Sequence, residues 1–302
     1  MILYRSMIQD SSRWNDFAFR PGDIVITTPP KCGTTWMQRI CSLLVFQTPV
    51  LDRPLTTISP WLDMTTKSSA EVNAILERQQ HRRFIKSHTP LDGLPIRDEV
   101  DYICVGRDAR DAGISWYHHQ ANTEMDALLA ARDAAVGNDD LPELLATDPP
   151  LEGETLEARF WSWVDHQTPP PETSASLWAT LKHMEEALRH KDRPNVHLFH
   201  YSELKADLAG EMRRLAALLG IAVADSAWPE LVESAGFEAM KRRADEMAPA
   251  LDAGVWKDNA GFFHDGRGGG WRDFFDEAAQ RRYDTRVHEL ATPETAAWVH
   301  RS

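Results

Sequence analysis

The order of hydrophobic and polar residues along the chain predicts β-strands that alternate with amphipathic α-helices. Short apolar runs predict strands at Ile24–Thr27, Arg83–Lys86, Tyr102–Gly106 and Val196–Tyr201. Apolar residues at helical spacing predict helices at Thr35–Phe46, Ala70–Gln80, Arg110–Ala121, Leu156–His166, Leu177–His190 and Leu208–Leu219. Gly220 directly follows the last of these and is expected to cap it. The alternation predicts an α/β fold with a central parallel sheet flanked by helices on both faces.

The length of 302 residues suits one large α/β domain or two small ones, and we expect a single domain over residues 1–302. Two segments interrupt the regular pattern. Residues 122–153 are acidic and contain Asn138-Asp139-Asp140 and Asp148-Pro149-Pro150, while residues 168–174 include a run of three prolines. We interpret both segments as mobile insertions rather than as domain boundaries.

The charge of the chain limits the partners it can have. With 46 acidic and 33 basic residues, the formal net charge is −13. Nucleic acids require a basic face, so a nucleic-acid partner is not expected. An anionic nucleotide would have to be held by local basic residues and backbone amides.

The cysteines and the hydropathy indicate a compartment. Cys32, Cys41 and Cys104 have no paired spacing, which argues against a disulfide framework or a zinc site, and no other cluster has metal-ligand spacing. The first residues lack the apolar run of a signal peptide, and no segment approaches the length of a membrane span. We therefore expect a cytoplasmic protein without a metal or a transmembrane segment.

The turn after the first predicted strand carries the strongest functional signal. It reads Thr28-Pro29-Pro30-Lys31-Cys32-Gly33-Thr34-Thr35-Trp36 and opens a helix. The first amides of a helix lack partners within it and attract anions, so a lysine in such a turn indicates a phosphate-like ligand. The nucleoside-triphosphatase loop has its lysine directly after the last glycine, whereas Lys31 precedes Gly33. From this segment alone, an ordinary turn with a surface lysine remains an alternative.

Two later segments place further basic residues at strand ends. Phe84-Ile85-Lys86-Ser87-His88 delivers a lysine and a histidine to the end of one predicted strand. The strand Tyr102–Gly106 ends at Arg107, and the helix that follows carries Ser115. Ligands in such folds bind at the carboxyl ends of the strands, where Lys31, His88 and Arg107 all fall.

Taken together, these motifs resemble those of the PAPS-dependent sulfotransferases of the cytosolic type, where PAPS is 3′-phosphoadenosine 5′-phosphosulfate. The resemblance covers about residues 20–290 in order and includes Lys86-Ser87-His88-Thr89-Pro90, the Arg107–Ser115 segment, Tyr201, Phe237-Glu238-Ala239-Met240 and the loop Gly266-Arg267-Gly268-Gly269-Gly270. The chain looks most similar to mycobacterial-type members, some of which sulfate glycolipids. The resemblance implies sulfuryl transfer from PAPS to an acceptor hydroxyl, with no metal.

The resemblance also implies a role for each matched residue. His88 is the expected general base, because an imidazole that titrates near neutral pH can accept a hydroxyl proton. Lys31 and Lys86 are expected to stabilise charge on the leaving phosphate. Gly33, Thr34 and Thr35 are expected to bind the 5′-phosphate, and Arg107 and Ser115 the 3′-phosphate. The residues expected around the adenine are Trp36, Tyr201 and Phe237. The other expected donor-binding residues are Cys32 and the loop residues His264, Gly266 and Arg267. Ser115 is also expected to hold Lys31 before the donor is bound.

The chain departs from the family pattern near its C-terminus. Family members usually have Arg-Lys-Gly where this chain has His264-Asp265-Gly266, with Arg267 one position later, and the usual dimerisation motif after this loop is missing. The oligomeric state therefore does not follow from the resemblance. A sulfotransferase-like protein that binds adenosine 3′,5′-bisphosphate without turnover remains an alternative, and a nucleoside-triphosphate kinase is disfavoured by the position of Lys31.

The sequence leaves the acceptor open among glycolipids, phenols, sterols, aryl compounds and small alcohols. Trp61 and Trp256 fall in predicted loops and are candidates for lining an apolar acceptor pocket.

Overall fold

A four-stranded parallel sheet lies at the centre of the computed structural model, which describes residues 1–173, 175–249, 253–263, 266 and 268–301. A small antiparallel hairpin, β1 (Arg5–Ser6) and β2 (Gln9–Asp10), precedes it. The sheet strands are β3 (Ile24–Thr27), β4 (Phe84–Ser87), β5 (Asp101–Gly106) and β6 (Val196–His200). Their order across the sheet is β4-β3-β5-β6, so β3 lies between β4 and β5.

Both faces of the sheet are buried, as the continuous apolar runs require. Ile24 and Ile26 of β3 pack into one hydrophobic cluster, while Val25 between them packs into the other. In β5, Ile103 and Tyr102 divide between the two clusters in the same way. Successive residues of a strand point to opposite faces, so a strand without polar interruption needs helices on both sides.

Helices cover the two faces and the ends of the sheet. They are α1 (Thr34–Phe46), α2 (Leu55–Ile58), α3 (Ser69–Arg78), α4 (Ala109–Ala121), α5 (Met125–Val136), α6 (Leu141–Thr147), α7 (Leu156–Asp165), α8 (Leu177–Arg189), α9 (Tyr201–Ala206), α10 (Leu208–Leu218), α11 (Trp228–Ala235), α12 (Phe237–Arg242), α13 (Ala244–Met247), α14 (Glu277–Leu290) and α15 (Pro293–Val299). Helices α1, α10 and α11 bury their apolar residues in the cluster of Ile24, and α7, α8 and α14 bury theirs in the cluster of Val25. The predicted α/β fold is confirmed.

The register of the sheet brings three strand ends to one edge. Thr27, the last residue of β3, pairs with Ser87 of β4 and with Cys104 of β5. The residues that follow these strands therefore meet, which is the arrangement expected for a ligand site in a parallel sheet.

The predicted helix ends agree with the structure to within one or two residues. Gly220 ends α10 with φ of 65°, and its amide donates to Ala217 O at 3.1 Å while the amide of Ile221 donates to Ala216 O at 2.8 Å. These two bonds form a Schellman motif, in which glycine accepts the left-handed angle at little cost.

The segment 122–153, predicted as an insertion, contains the two helices α5 and α6. Helix α6 buries none of its side chains. Ion pairs from Asp140 to Arg5 at 2.7 Å and to Arg132 at 2.8 Å tie its start to the hairpin and to α5. In the described part of the chain, none of the helices combines the length and the apolar character needed to cross a bilayer.

Candidate active site

The turn between β3 and α1 combines two left-handed residues with an open helix start. Lys31 has φ of 67° and Gly33 has φ of 102°. A Cβ at Gly33 would lie 3.2 Å from Cδ2 of Tyr201, so glycine is required both by the backbone and by the close approach of this ring. The N-cap residue of α1 is Gly33, which has no side chain to cap the first amides. These amides and the helix dipole therefore remain available to an anion.

Three basic side chains reach one cavity from three adjacent strands. Lys31 follows β3, Lys86 lies in β4 and Arg107 follows β5. Burial and repulsion from Arg107 and Lys86 lower the pKa of Lys31 to about 7, and burial lowers the pKa of Lys86 to about 8. A ligand with several negative charges would relieve this repulsion, so the cluster is suited to a polyanion.

Two of these cations are held by neighbouring groups. Arg107 donates from Nη1 to the carbonyl oxygen of Lys31 at 3.1 Å, and its guanidinium carbon lies 4.4 Å from the centre of the Tyr201 ring. The Lys86 ammonium lies 4.2 Å from the centre of the Trp61 ring. Aromatic faces attract cations without neutralising them, so the positive charge of the cavity is preserved.

His88 stands directly after β4 and is only 8% exposed. Its Nδ1 lies 2.7 Å from the carbonyl oxygen of Thr28, and because a carbonyl only accepts, Nδ1 carries the proton. In the neutral ring, Nε2 is then left as the acceptor nitrogen. Burial and the charge of Lys86 hold the pKa of His88 well below its usual value, so the ring is neutral at pH 7.

A buried carboxylate fixes the backbone on both sides of His88. Asp63 Oδ2 accepts hydrogen bonds from Ser87 Oγ at 2.8 Å, from Thr89 Oγ1 at 2.5 Å and from Trp14 Nε1 at 3.0 Å. Burial raises the pKa of Asp63, although these three donors oppose the shift. The carboxylate therefore holds the residues before and after His88 in place.

Aromatic residues and a glycine-rich loop line one side of the cavity. Trp36 donates from Nε1 to Ala235 O at 2.8 Å, and its ring meets that of Tyr201 edge-on at 5.1 Å. A Cβ on Gly266 would lie 2.8 Å from the Phe237 ring, so the loop packs closely on that ring. Asp111 accepts from the amide of Gly269 at 2.6 Å and joins the loop to α4. This side has the shape and the flat surfaces that a nucleobase needs.

A group of aliphatic residues also lines the same cavity. The cavity has a volume of about 830 Å³, and we call this part of its lining the apolar arm; its members are Met7, Ile8, Met64, Leu128, Leu129, Leu145, Leu151 and Leu156. Helices α5 and α6 supply part of its wall. Trp61 and Trp256 also line the cavity, as the sequence suggested.

Lys31 makes a contact that the sequence did not predict. Its Nζ lies 3.2 Å from Nδ1 of His119 on α4 and 4.6 Å from the centre of the Phe262 ring. Ser115 was the expected partner of Lys31, but the hydrogen-bond partner in the structure is His119. Ser115 nevertheless lines the cavity.

Most of the predicted site residues that the structure describes meet at this cavity. Its lining includes Lys31, Gly33, Thr34, Thr35, Trp36, Lys86, His88, Arg107, Ser115, Tyr201, Phe237 and Gly266. Cys32 does not line it: the side chain is fully buried, its amide donates to Pro29 O at 3.3 Å, and burial raises the pKa of the thiol to about 12. His264, Asp265 and Arg267 lie outside the described residues.

The sequence did not predict three residues of the site. Asp63 accepts hydrogen bonds from the residues on either side of His88, and His119 and Phe262 contact Lys31. No local motif marks these three residues. A neighbouring histidine pair, His118-His119, was the only available signal. Within the described ranges, no group of three or more His, Cys, Asp or Glu residues is placed to hold a metal ion.

The arrangement combines a neutral imidazole, a cluster of cations and an apolar arm in one cavity. Such a site can bind a multiply charged donor beside an apolar acceptor, accept a proton from the acceptor and stabilise negative charge on a leaving group.

Sequence comparisons show what the chain is similar to. The family model for the sulfotransferase domain matches residues 21–294. The chain is 43% identical to a glycolipid sulfotransferase of Mycobacterium bovis over 99% of its own length and 94% of that protein. It is 42% identical to a glycolipid sulfotransferase of Mycobacterium tuberculosis, with the same coverage. At 23% identity it also resembles bovine sulfotransferase 1E1, over 95% of this chain and 89% of the relative.

Solved structures share the fold at lower sequence identity. Mouse sulfotransferase SULT7A1 complexed with PAP is 19% identical with a TM-score of 0.69, covering 99% of this chain and 98% of the other. Retinol dehydratase in a complex with retinol and PAP is also 19% identical with a TM-score of 0.69, covering 93% of this chain and 86% of the other.

Proposed function

The chain belongs to the sulfotransferase family, and from this premise we propose that it moves the sulfuryl group of PAPS to a hydroxyl of an apolar acceptor such as a glycolipid. The observation that carries the proposal is the meeting of Lys31, Lys86, Arg107 and His88 at a single cavity that continues into the apolar arm. A protein with a net charge of −13 concentrates cations in this way only where an anion is to be bound.

We assign the donor to the side of the cavity formed by the β3–α1 turn and the aromatic residues. The amides at the start of α1 and the hydroxyls of Thr34 and Thr35 hold the 5′-phosphate. Arg107, whose planar guanidinium can grip two phosphate oxygens, holds the 3′-phosphate together with Ser115.

Aromatic side chains receive the adenine in this proposal. Trp36 and Phe237 offer their faces to the base, and Tyr201 meets its edge. All three line the cavity. PAP in the complexes of the structural neighbours supports an adenosine 3′,5′-bisphosphate ligand in this fold.

The transfer is a single in-line displacement at sulfur. A bond forms between the acceptor oxygen and sulfur while the bond from sulfur to the 5′-phosphate oxygen breaks. His88 Nε2 takes the hydroxyl proton, and adenosine 3′,5′-bisphosphate leaves with the electron pair. Lys31 and Lys86 stabilise the charge that develops on its 5′-phosphate.

Donor binding would also strengthen His88 as a base. The pKa of His88 is depressed by burial and by the charge of Lys86. The phosphate and sulfate groups of the donor bring negative charge beside these cations, which raises the affinity of the imidazole for a proton. The base therefore becomes most effective when the donor is present.

The apolar arm is the acceptor side of the cavity in this proposal. Its aliphatic lining suits a hydrocarbon portion, while the acceptor hydroxyl lies toward His88. The 43% identical relative that is named a glycolipid sulfotransferase supports a lipid acceptor.

The proposal is tested by incubating the protein with ³⁵S-labelled PAPS and an actinobacterial lipid extract, followed by chromatography of the products. We expect a labelled lipid with the wild-type protein and at least about a hundredfold less with His88→Ala. Binding of adenosine 3′,5′-bisphosphate without transfer to the extract or to phenol, sterol and alcohol acceptors would favour the alternative of a binding protein without turnover.

A further inference from the structure

A histidine on α4 supplies the hydrogen bond of the Lys31 ammonium. His119 Nδ1 lies 3.2 Å from Lys31 Nζ, across 88 positions of the chain. The backbone of Lys31 is left-handed, which is uncommon for a residue other than glycine. A lysine side chain has many other conformations available, so its contact with His119 is a specific arrangement.

Aromatic rings pack around His119. The His119 ring stacks on Trp116 with 5.2 Å between centroids and packs at 4.8 Å against Trp256 and at 6.0 Å against Phe262. Phe262 also lies under the Lys31 ammonium. Burial, with repulsion from Lys31 and Lys86, holds the pKa of His119 well below its usual value. The imidazole is therefore neutral, and because an ammonium only donates, Nδ1 is the acceptor when Lys31 is protonated.

We propose that His119 is a positioning residue that keeps Lys31 protonated and directed into the cavity before the anionic donor binds. The proposal rests on the function proposed above. Its physical basis is that a buried ammonium needs an acceptor to stay charged, and a neutral acceptor satisfies it without cancelling its charge.

A comparison with other side chains at position 119 explains why an imidazole fits there. A carboxylate would also accept from Lys31, but it would neutralise the cation and repel the phosphates of the donor. A phenyl ring would pack as well between Trp116 and Trp256, but it would leave the ammonium without an acceptor. The imidazole alone combines the ring packing with a neutral acceptor nitrogen.

Among the described residues, the titratable groups that interact with the charge of Lys31 come from four elements. They are Cys32 beside it in the turn, Lys86 and His88 at the end of β4, Arg107 after β5 and His119 on α4. The described segment 253–263 contributes the uncharged rings of Trp256 and Phe262. Of these groups, only the Cys32 thiol can become negatively charged, and the others are neutral or positive. The positive charges favour loss of the Lys31 proton, and the hydrogen bond to His119 opposes this loss.

This role predicts the direction of a pH effect. A nucleotide phosphate binds the protonated lysine. The affinity of the protein for the nucleotide is therefore highest below the pKa of Lys31 and falls as the pH rises through this pKa. Removing an acceptor from the ammonium favours the neutral amine and moves this fall to lower pH. A shift of about one pKa unit corresponds to about tenfold in affinity at a pH above both midpoints.

The experiment measures the dissociation constant of adenosine 3′,5′-bisphosphate by calorimetry from about pH 5.5 to about pH 9. It compares wild-type protein with His119→Phe, which keeps a ring but has no acceptor, and His119→Gln, which keeps a neutral acceptor. We expect roughly tenfold weaker binding by His119→Phe above pH 8 with little change below pH 6. His119→Gln should follow the wild type. Titration of the nucleotide itself is common to all three proteins and cancels in the ratios.

Equal pH midpoints in wild type and His119→Phe would overturn the inference, and so would a uniform loss of affinity at every pH. If His119→Phe does not fold, His119→Leu tests the same loss of acceptor. If the wild-type protein does not bind the bisphosphate, the proposed function fails. The role of His119 is then decided by NMR titration of labelled lysine side chains. The Lys31 signal is identified as the one that disappears in Lys31→Arg. If the midpoint of the Lys31 titration is the same in His119→Phe as in the wild type, the proposed role of His119 is refuted.

Discussion

His88 and His119 both line the cavity, but their ring nitrogens have different hydrogen-bond partners. The Thr28 carbonyl binds Nδ1 of His88, whereas Nδ1 of His119 meets the amine of Lys31. A carbonyl partner fixes the tautomer and leaves Nε2 able to accept a proton. The two rings therefore suit two different tasks, one as a base and the other as an acceptor for a cation.

For His88 we expect His88→Ala to reduce turnover by about 10²–10⁴, the usual contribution of a positioned base. Affinity for adenosine 3′,5′-bisphosphate should stay close to the wild-type value, because the ring does not bind the nucleotide in this mechanism. Steady-state kinetics and calorimetry measure the two quantities, and the exposed His288→Ala serves as a matched control. A His88→Ala protein that keeps more than about a third of wild-type turnover would remove His88 from the mechanism.

Lys31 should act mainly on the charge that develops during transfer. Loss of one preorganised electrostatic group typically lowers kcat by about 10²–10³, so Lys31→Ala should remain slow at saturating PAPS. The measurement is kcat over a wide range of PAPS concentrations, with the exposed Lys205→Ala as a control. Full recovery of the rate at high PAPS would mean that Lys31 contributes only to ground-state binding.

At the scale of single elements, the β3–α1 turn depends on Gly33 in two separate ways. Gly33 has a left-handed φ of 102°, and its missing Cβ makes room for the Tyr201 ring. Gly220 also has a positive φ, of 65°, but a Cβ there would meet nothing within 4 Å. Comparing substitutions at Gly220 and Gly33 therefore distinguishes the cost of backbone strain from the cost of displacing the Tyr201 ring.

We therefore expect Gly220→Ala to cost about 1–2 kcal/mol of unfolding free energy, the strain of a left-handed residue, without affecting nucleotide binding. Gly33→Ala should cost more and should also weaken bisphosphate binding, because Tyr201 must shift and Arg107 rests on its ring. Denaturant unfolding and calorimetry test both variants. Equal effects of the two substitutions on binding would show that the approach of Tyr201 to the turn is unimportant.

The sequence predicted those strands and helices whose buried side chains give a clear pattern of apolar residues. The strands β3 and β5 and the helices α1, α4, α7, α8 and α10 were predicted to within one residue at each end, because each has a continuous apolar run or a regular apolar face. Helix α6 was not predicted, since it buries no side chain and therefore carries no amphipathic signal. Its position depends on ion pairs with Arg5 and Arg132, which local patterns do not reveal.

The site also contains residues that local patterns predict and residues that only long-range packing places there. Lys31, His88 and Arg107 lie at strand ends, and a parallel sheet brings strand ends together, so their meeting could be predicted. Asp63 and His119 reach the site from a loop and from the end of a helix. Their contacts depend on how loops and helices pack over the sheet edge, and a single sequence contains no periodicity that encodes this packing.

On the scale of the whole molecule, the cationic cavity lies within a strongly acidic protein. The net charge of −13 repels a nucleotide at long range, whereas the buried cations attract it at short range. Solvent and salt screen the distant surface charges much more than the buried ones, so the local attraction decides the affinity. This balance favours ligands that carry charge at the points where the cations lie.

Arg107 links nucleotide identity to the stability of the whole chain. A ligand that binds only the folded state at a hundred times its dissociation constant adds about 2.7 kcal/mol to the free energy of unfolding. For a chain of this size, that gain corresponds to a rise in Tm of the order of 5 °C. Adenosine 3′,5′-bisphosphate should produce such a rise.

The matching experiment uses 5′-AMP, which lacks the 3′-phosphate that we assign to Arg107. A charged hydrogen bond contributes about 1.5–3 kcal/mol, so 5′-AMP should bind about 10–150-fold more weakly. At the same concentration it then adds only about 0.3–1.4 kcal/mol and raises Tm by at most about half as much. In Arg107→Ala the two nucleotides should give nearly equal shifts, whereas in the exposed control Arg281→Ala the difference should remain. Equal shifts with both nucleotides in the wild-type protein would contradict the assignment of Arg107 and with it the choice of PAPS as donor, because a site that ignores the 3′-phosphate has no reason to select that nucleotide.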